Sequence, residues 1–195
     1  WWGARARLQV SAWRGSEHTV VVSPLPDRPA PSSAEIDHQV QALAHHGVQL
    51  ALTGALHHGE LAPFLDAGFV EHERLHLLRH DLLRLPEPHD SVRLRRAWRR
   101  DYPAILDIDG RAFDSFWALD RGGLDDAAGA APVSRSRVAI DGSLVGYAIT
   151  GRSGSRGYLQ RLAVDPDRHR RGIGLALVAD SLSWLRTTGA TAAVV

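Results

Sequence analysis

The sequence predicts an α/β protein: a mixed central sheet flanked by helices, preceded by a smaller module of the same class. Three observations predict it. Strand-like alternation, as in VRLRRAW at 92–98, changes along the chain with helical periodicity, as in Leu175, Val178, Leu182 and Leu185. Asp141-Gly142, a favoured tight-turn pair, joins two strand-like runs into a hairpin. The segment RLPEPHDS at 84–91 holds two prolines between apolar flanks, and proline breaks both helices and central strands. The expected organisation is a first module at 1–84, a linker at 85–91 and a second module at 92–195.

In the first module, strands are expected at 7–13 and 18–24. A helix follows over 32–47, opened by a Ser32-x-x-Glu35 capping box and closed by Gly47. A strand at 48–54, a short helix within 59–69 and one or two strands within 70–82 complete it. In the second module, the strand at 92–98 leads into a helix over 100–113, whose start must fall near Pro103. A loop and a short helix occupy 113–130, and the hairpin strands lie at 136–140 and 144–151. A strand at 157–165, a helix from Gly172 to about Thr187 ended by Gly189, and a buried-type strand at 190–195 follow.

Composition excludes whole classes of chemistry. The 195 residues include no Cys, which removes disulfides, thiolate nucleophiles and Cys-type zinc sites. All 23 basic residues other than His are Arg, so neither a phosphate-loop lysine nor a Schiff-base lysine exists in this sequence. A formal charge of +1 provides no global attraction to nucleic acid or membrane surfaces. No apolar run approaches membrane-spanning length and nothing resembles a secretory leader, so a cytoplasmic protein is expected. The sequence begins WWGARA and contains no Met, so the expectation is a longer gene product.

The stretch DPDRHRRGIGLAL at 165–177 sets Arg168, His169, Arg170 and Arg171 directly before Gly172-Ile173-Gly174. Like charges side by side repel, and glycine is about 1 kcal/mol worse than alanine in a helix. A strand, a basic loop and a helix opened by two glycines form a coherent anion site. Free N–H groups and the helix dipole favour negative charge, and glycine lets a phosphate approach the backbone.

With its flanking strand, LQRLAVDPDRHRRGIGLALV resembles the acyl-CoA-binding motif of GNAT-superfamily N-acyltransferases. Val164, Pro166, Gly172 and Gly174 match it, and His169 stands where Gln or Arg is usual. The resemblance runs over 92–195 in element order. It implies a GNAT-like fold and an acetyl-CoA cosubstrate, with the backbone N–H groups of Arg170, Arg171, Gly172, Ile173 and Gly174 around the pyrophosphate. It further implies main-chain contacts from Leu162 and Val164 to the pantetheine, and an N–H near Leu162 or Ala163 polarising the thioester carbonyl. An amine then attacks directly, without a metal. The position of the family's frequent Glu base holds Tyr158, a poor base at neutral pH. The family's Tyr acid would lie beyond Val195.

The first module resembles the C-terminal half of a GNAT domain, with PFLDAGF at 63–69 echoing a family element. Its loop PLPDRPAPSS has no glycine and four prolines, and Phe64 stands at the acid position, so the resemblance implies a degenerate, structural half. The acceptor region of the family corresponds here to Asp114, Phe116, Trp117 and Asp120, where carboxylates beside aromatic rings suit a cationic amine.

Other constellations read more plainly. His72, His76 and His80 form a solvated face, since strand neighbours four apart lie about 13 Å from one another. Arg93, Arg95, Arg96, Arg99 and Arg100 read as an exposed strand and turn, and Trp184 as core. The expected partner is an amine-bearing acceptor, not nucleic acid or membrane, and a homodimer is compatible. Two competing functions are a non-catalytic acyl-CoA sensor and a nucleotide-binding domain; Leu177 occupies the third glycine position that a dinucleotide fingerprint requires.

Overall fold

The computed structural model describes residues 7–25, 28–87 and 92–195; residues 88–91 of the expected linker at 85–91 lie outside them. The chain divides into two compact units, Trp1–His76 and Leu77–Val195.

In the first unit, β1 (Leu8–Ala12) runs antiparallel to β2 (Thr19–Pro24). Helix α1 (Ser33–His45) then crosses over to β3 (Leu50–Leu52), parallel to β2. The capping box forms: Glu35 N–H donates to Ser32 Oγ at 3.3 Å, and Ser32 N–H donates to Glu35 Oε2 at 2.8 Å. Helix α2 (His58–Asp66) places Phe64 in the core with Val20, Val22 and Ile36.

The second unit is one six-stranded sheet in the order β4-β9-β8-β7-β6-β5. Its elements are β4 (Arg79–His80), β5 (Arg93–Arg96), α3 (Tyr102–Ala112), α4 (Arg121–Gly129), β6 (Val133–Asp141), β7 (Ser143–Ser153), β8 (Arg156–Val164), α5 (Ile173–Thr187) and β9 (Ala192–Val194). Short 3₁₀ turns at Arg99–Asp101 and Pro166–Arg168 lead into α3 and toward α5. Pro103 sits in the first turn of α3, where its missing N–H costs nothing. All strand pairs are antiparallel except β8 with β9.

One expectation is corrected. The strands anticipated within 70–82 reduce to β4, and β4 belongs to the second sheet. It pairs with β9, extended by reciprocal bonds of 2.8 and 3.0 Å between Leu78 and Val195. The units accordingly part at His76/Leu77, ahead of the proline-rich segment that suggested a boundary. Prolines show where an element must break, but not which sheet edge will take the strand before them.

Side chains alternate across the second sheet. Val138, Tyr147, Ile149 and Ala163 pack beneath Ile105 and Ile108 of α3 and Leu124 of α4. On the other face Ala139, Val145 and Ala148 receive Ile173 and Leu177 of α5. A Cβ at Gly146 would stand 3.0 Å from the Ala163 carbonyl oxygen, so α5 and β8 close over that strand only because it is glycine.

Candidate active site

The site grows from an interruption in β8. Opposite β7, Ile149 pairs with Arg161 and Thr150 with Leu159, leaving Gln160 as an extra residue. Such a bulge bends a strand and ends regular pairing. Before it, Arg156–Tyr158 pair with β9; beyond it, Arg161–Val164 pair with β7 alone among the described residues. Asp165 N–H donates to Val145 O at 2.9 Å. Alternation in an antiparallel pair then turns the N–H of Ala163 toward β7 and those of Leu162 and Val164 toward the open edge.

That edge is one wall of a cleft of about 460 Å³. Leu162, Ala163, Val164, His169, Arg170, Gly172, Ile173 and Gly174 all line it, joined by Phe113, Arg168 and Leu175. Of the residues that the motif singled out for this ligand, Arg171 alone is not part of the lining. The loop reaches α5 through two left-handed residues, Arg170 at φ 58° and Gly172 at φ 78°. For Gly172, the helix N-cap, this conformation is free of strain; Arg170 carries a cost. The first intrahelical bond is Ala176 N–H to Gly172 O at 2.9 Å, so the amides of Ile173, Gly174 and Leu175 have no acceptor within the helix. A Cβ at Gly174 would meet only Val164 Cγ2, at an ordinary 3.7 Å. The protein's own packing does not require glycine there, and the vacant volume faces the cleft.

Two side chains hold this loop. The His169 ring donates from Nε2 to the Val164 carbonyl at 3.0 Å, so the imidazole braces the loop. Asp165 accepts from both terminal nitrogens of Arg111, at 2.7 and 3.1 Å. That pairing, with the Asp167 N–H, holds the Asp165 carboxyl below its ordinary range and ties the loop to α3.

Behind the cleft lies a buried network that no local pattern announced. Asp109 of α3 is fully shielded. It accepts from Arg161 Nε at 2.8 Å and Nη2 at 2.9 Å, from Leu119 N–H at 2.6 Å, and from the Tyr147 hydroxyl. Burial pushes its carboxyl up, but the Arg161, Tyr147 and Leu119 bonds outweigh burial and hold it below the usual carboxylate range. Burial and the Asp109 charge push the Tyr147 hydroxyl well up, so it stays protonated. Arg161 also donates to the Trp117 carbonyl at 2.8 Å and lies 3.5 Å from the centre of the Phe113 ring. The 113–119 loop is thereby fastened to β8.

Asp114, Phe116, Trp117 and Asp120 sit on this loop. Asp114 Oδ1 accepts from the N–H groups of Phe116 and Trp117 at 3.0 and 3.1 Å, and Asp120 Oδ1 caps α4 through Gly123 N–H at 2.7 Å. The Phe116 and Trp117 rings meet edge to face at 5.0 Å. None of the four lines the cleft. Tyr158 lies on β8 between Gly151 and Val194, before the bulge, and it does not line the cleft either. Among the described residues, no group of three or more His, Asp or Glu converges as a metal site, and no helix is long and apolar enough to cross a membrane.

This arrangement of bulged strand, basic loop and glycine-capped helix defines a class. Residues 80–195 match the acetyltransferase (GNAT) family. The chain belongs to that family. In fold it is similar to a GCN5-related N-acetyltransferase from Kribbella flavida, at 17% identity and a TM-score of 0.61, over 90% of this chain and 70% of that one. Such coverage exceeds what the second unit alone can supply, so the likeness reaches into the first. It is also similar to the ribosomal-protein-S18-alanine N-acetyltransferase from Escherichia coli, at 23% identity and a TM-score of 0.45, over 50% of this chain and 61% of that one. A GNAT family acetyltransferase from Brucella melitensis, solved in complex with acetyl-CoA, shares 27% identity at a TM-score of 0.43, over 52% of this chain and 73% of that one. No curated protein matches the chain.

Proposed function

We propose that this protein transfers an acetyl group from acetyl-CoA to a primary amine. The observation that carries the reading is the cleft itself: three helix-initial amides free of intrahelical acceptors, a vacant side-chain volume at Gly174, and an open strand edge at Leu162–Val164. Helix-initial amides and the dipole suit a pyrophosphate, with Arg168 and Arg170 adding charge. The open edge suits an extended chain of amides, which binds as an added strand. Acetyl-CoA supplies the activated acyl group when bound.

The chain's own groups then have defined tasks. Of the two N–H groups near the thioester, Leu162's is the one at the open edge, so Leu162 polarises the carbonyl oxygen and stabilises its developing charge. The amine, having lost its ammonium proton to water, attacks that carbonyl carbon directly; the carbon–sulfur bond breaks, CoA leaves as the thiolate, and the second amine proton passes through water to protonate it. Asp114 and Asp120 attract the cationic amine to the 113–120 loop, and Arg161 keeps that loop at a fixed height over β8. The first unit is read as a degenerate half of the same fold. Its loop at 24–33 carries prolines where donors are needed, and Phe64 is a core residue with no acid to offer.

A thiol-release assay with acetyl-CoA and a panel of primary amines tests the activity. Amine-dependent release of CoA supports transfer. Binding of CoA without release for any amine would favour an acyl-CoA sensor instead.

A further inference from the structure

A second cleft, of about 470 Å³, shares no lining residue with the first. Arg96, Arg135 and Arg137 enter it beside Tyr102, Ser136 and Trp184. Arg96 of β5 is directly opposite Arg137 of β6, and Arg135, two residues along, projects from the same face. Like charges opposed in this way destabilise a sheet. One carboxylate answers two of the three: Asp180 of α5 accepts from Arg135 Nη2 at 2.5 Å and from Arg137 at 3.2 and 3.3 Å. Arg96 pairs with no carboxylate among the described residues; its guanidinium stands 5.6 Å from the Trp98 ring centre. The Arg135 guanidinium lies 5.0 Å from the centre of the Trp184 ring, and its Nε is buried without an acceptor.

Three guanidinium groups against one carboxylate leave two positive charges unmatched in a concave, aromatic-walled space. A volume of this size falls in the range of small-ligand sites, about 300–1,000 Å³. We propose that this cleft is an oxyanion-binding site, in which Arg96, Arg135 and Arg137 hold the phosphate or carboxylate of a small ligand against Trp184 and Tyr102. Guanidinium forks match both oxyanions bidentately. Arg135 and Arg137 are already oriented by Asp180, so little side-chain freedom is lost on binding. The site is independent of the acyl-CoA reading.

The test follows the Trp184 indole N–H by NMR while the protein is titrated separately with inorganic phosphate, benzoate and phenyl phosphate. The signal is identified by its loss in Trp184→Phe. Trp184 lies ten residues from Gly174, about 15 Å along the helix, so an anion at the start of α5 does not report there. A saturable shift is expected, with a dissociation constant of about 1 mM or tighter. Whether phosphate or benzoate produces it identifies the oxyanion. Arg96 is exposed, so its replacement leaves the core intact. Arg96→Ala weakens binding about tenfold, consistent with one charged hydrogen-bonding group lost, and Arg96→Glu abolishes it. No saturable shift with any of the three anions, or an unchanged affinity in Arg96→Glu, would overturn the proposal.

Discussion

At the scale of single residues, Asp109 carries the heaviest demand. A fully shielded carboxylate is tolerable only because Arg161, Tyr147 and Leu119 satisfy it. Asp109→Ala leaves Arg161 charged and half-buried without its partner, which costs about 3–5 kcal/mol; thermal or urea unfolding measures this. Asp109→Asn keeps the shape and costs less. The folded carboxyl lies below its unfolded value near 4. Its contribution is therefore fully present above that pH and is lost as the pH falls through the folded value. The acid limb of the wild-type stability curve becomes shallower in Asp109→Asn; an unchanged limb would show that Asp109 does not titrate with folding. None of this was legible beforehand. Tyr147 and Arg161 lie 38 and 52 positions from Asp109, and separations of that kind leave no periodic trace. Gly172 and Gly174 were legible, because a helix opening on two glycines is locally unfavourable and so invites a reason.

The elements themselves follow their sequence cues closely wherever a local cap or turn defines them. Ser32 and Glu35 open α1, Pro103 lies in the first turn of α3, and Gly142 turns β6 into β7. Cues fail where the decisive interaction is remote, as with β4, whose place depends on the free edge of β9. The bulge at Gln160 is similarly silent in sequence, since alternation continues on both sides of an inserted residue. The loop between α3 and α4 is the element on which the proposed acceptor recognition rests. Asn caps a helix as well as Asp does, so Asp120→Asn removes charge while keeping α4 capped through Gly123. It is expected to raise KM for the amine severalfold with kcat nearly unchanged. Tyr158→Phe is expected to keep most of kcat, because Tyr158 lies before the bulge and does not line the cleft. A loss of about a hundredfold or more in Tyr158→Phe, within the range of a positioned base, would reassign that role.

For the whole molecule, CoA binding is proposed for the second unit, and the first is proposed to be a degenerate half of the same fold. The loop of the first is filled with prolines, and the second carries the glycine-capped helix and the open strand edge. The decisive measurement is a calorimetric titration of CoA into the complete chain and two variants. Wild type binds with one site per chain. Gly174→Ala folds normally and gains up to about 1 kcal/mol of stability from helix propensity, yet binds CoA more weakly because its methyl group enters the cleft. Gly172→Asp places a carboxylate at the phosphate position and forces a left-handed residue; it is expected to lose binding while its circular dichroism stays that of the wild type. Full affinity in a folded Gly172→Asp protein would contradict the assignment of the cleft.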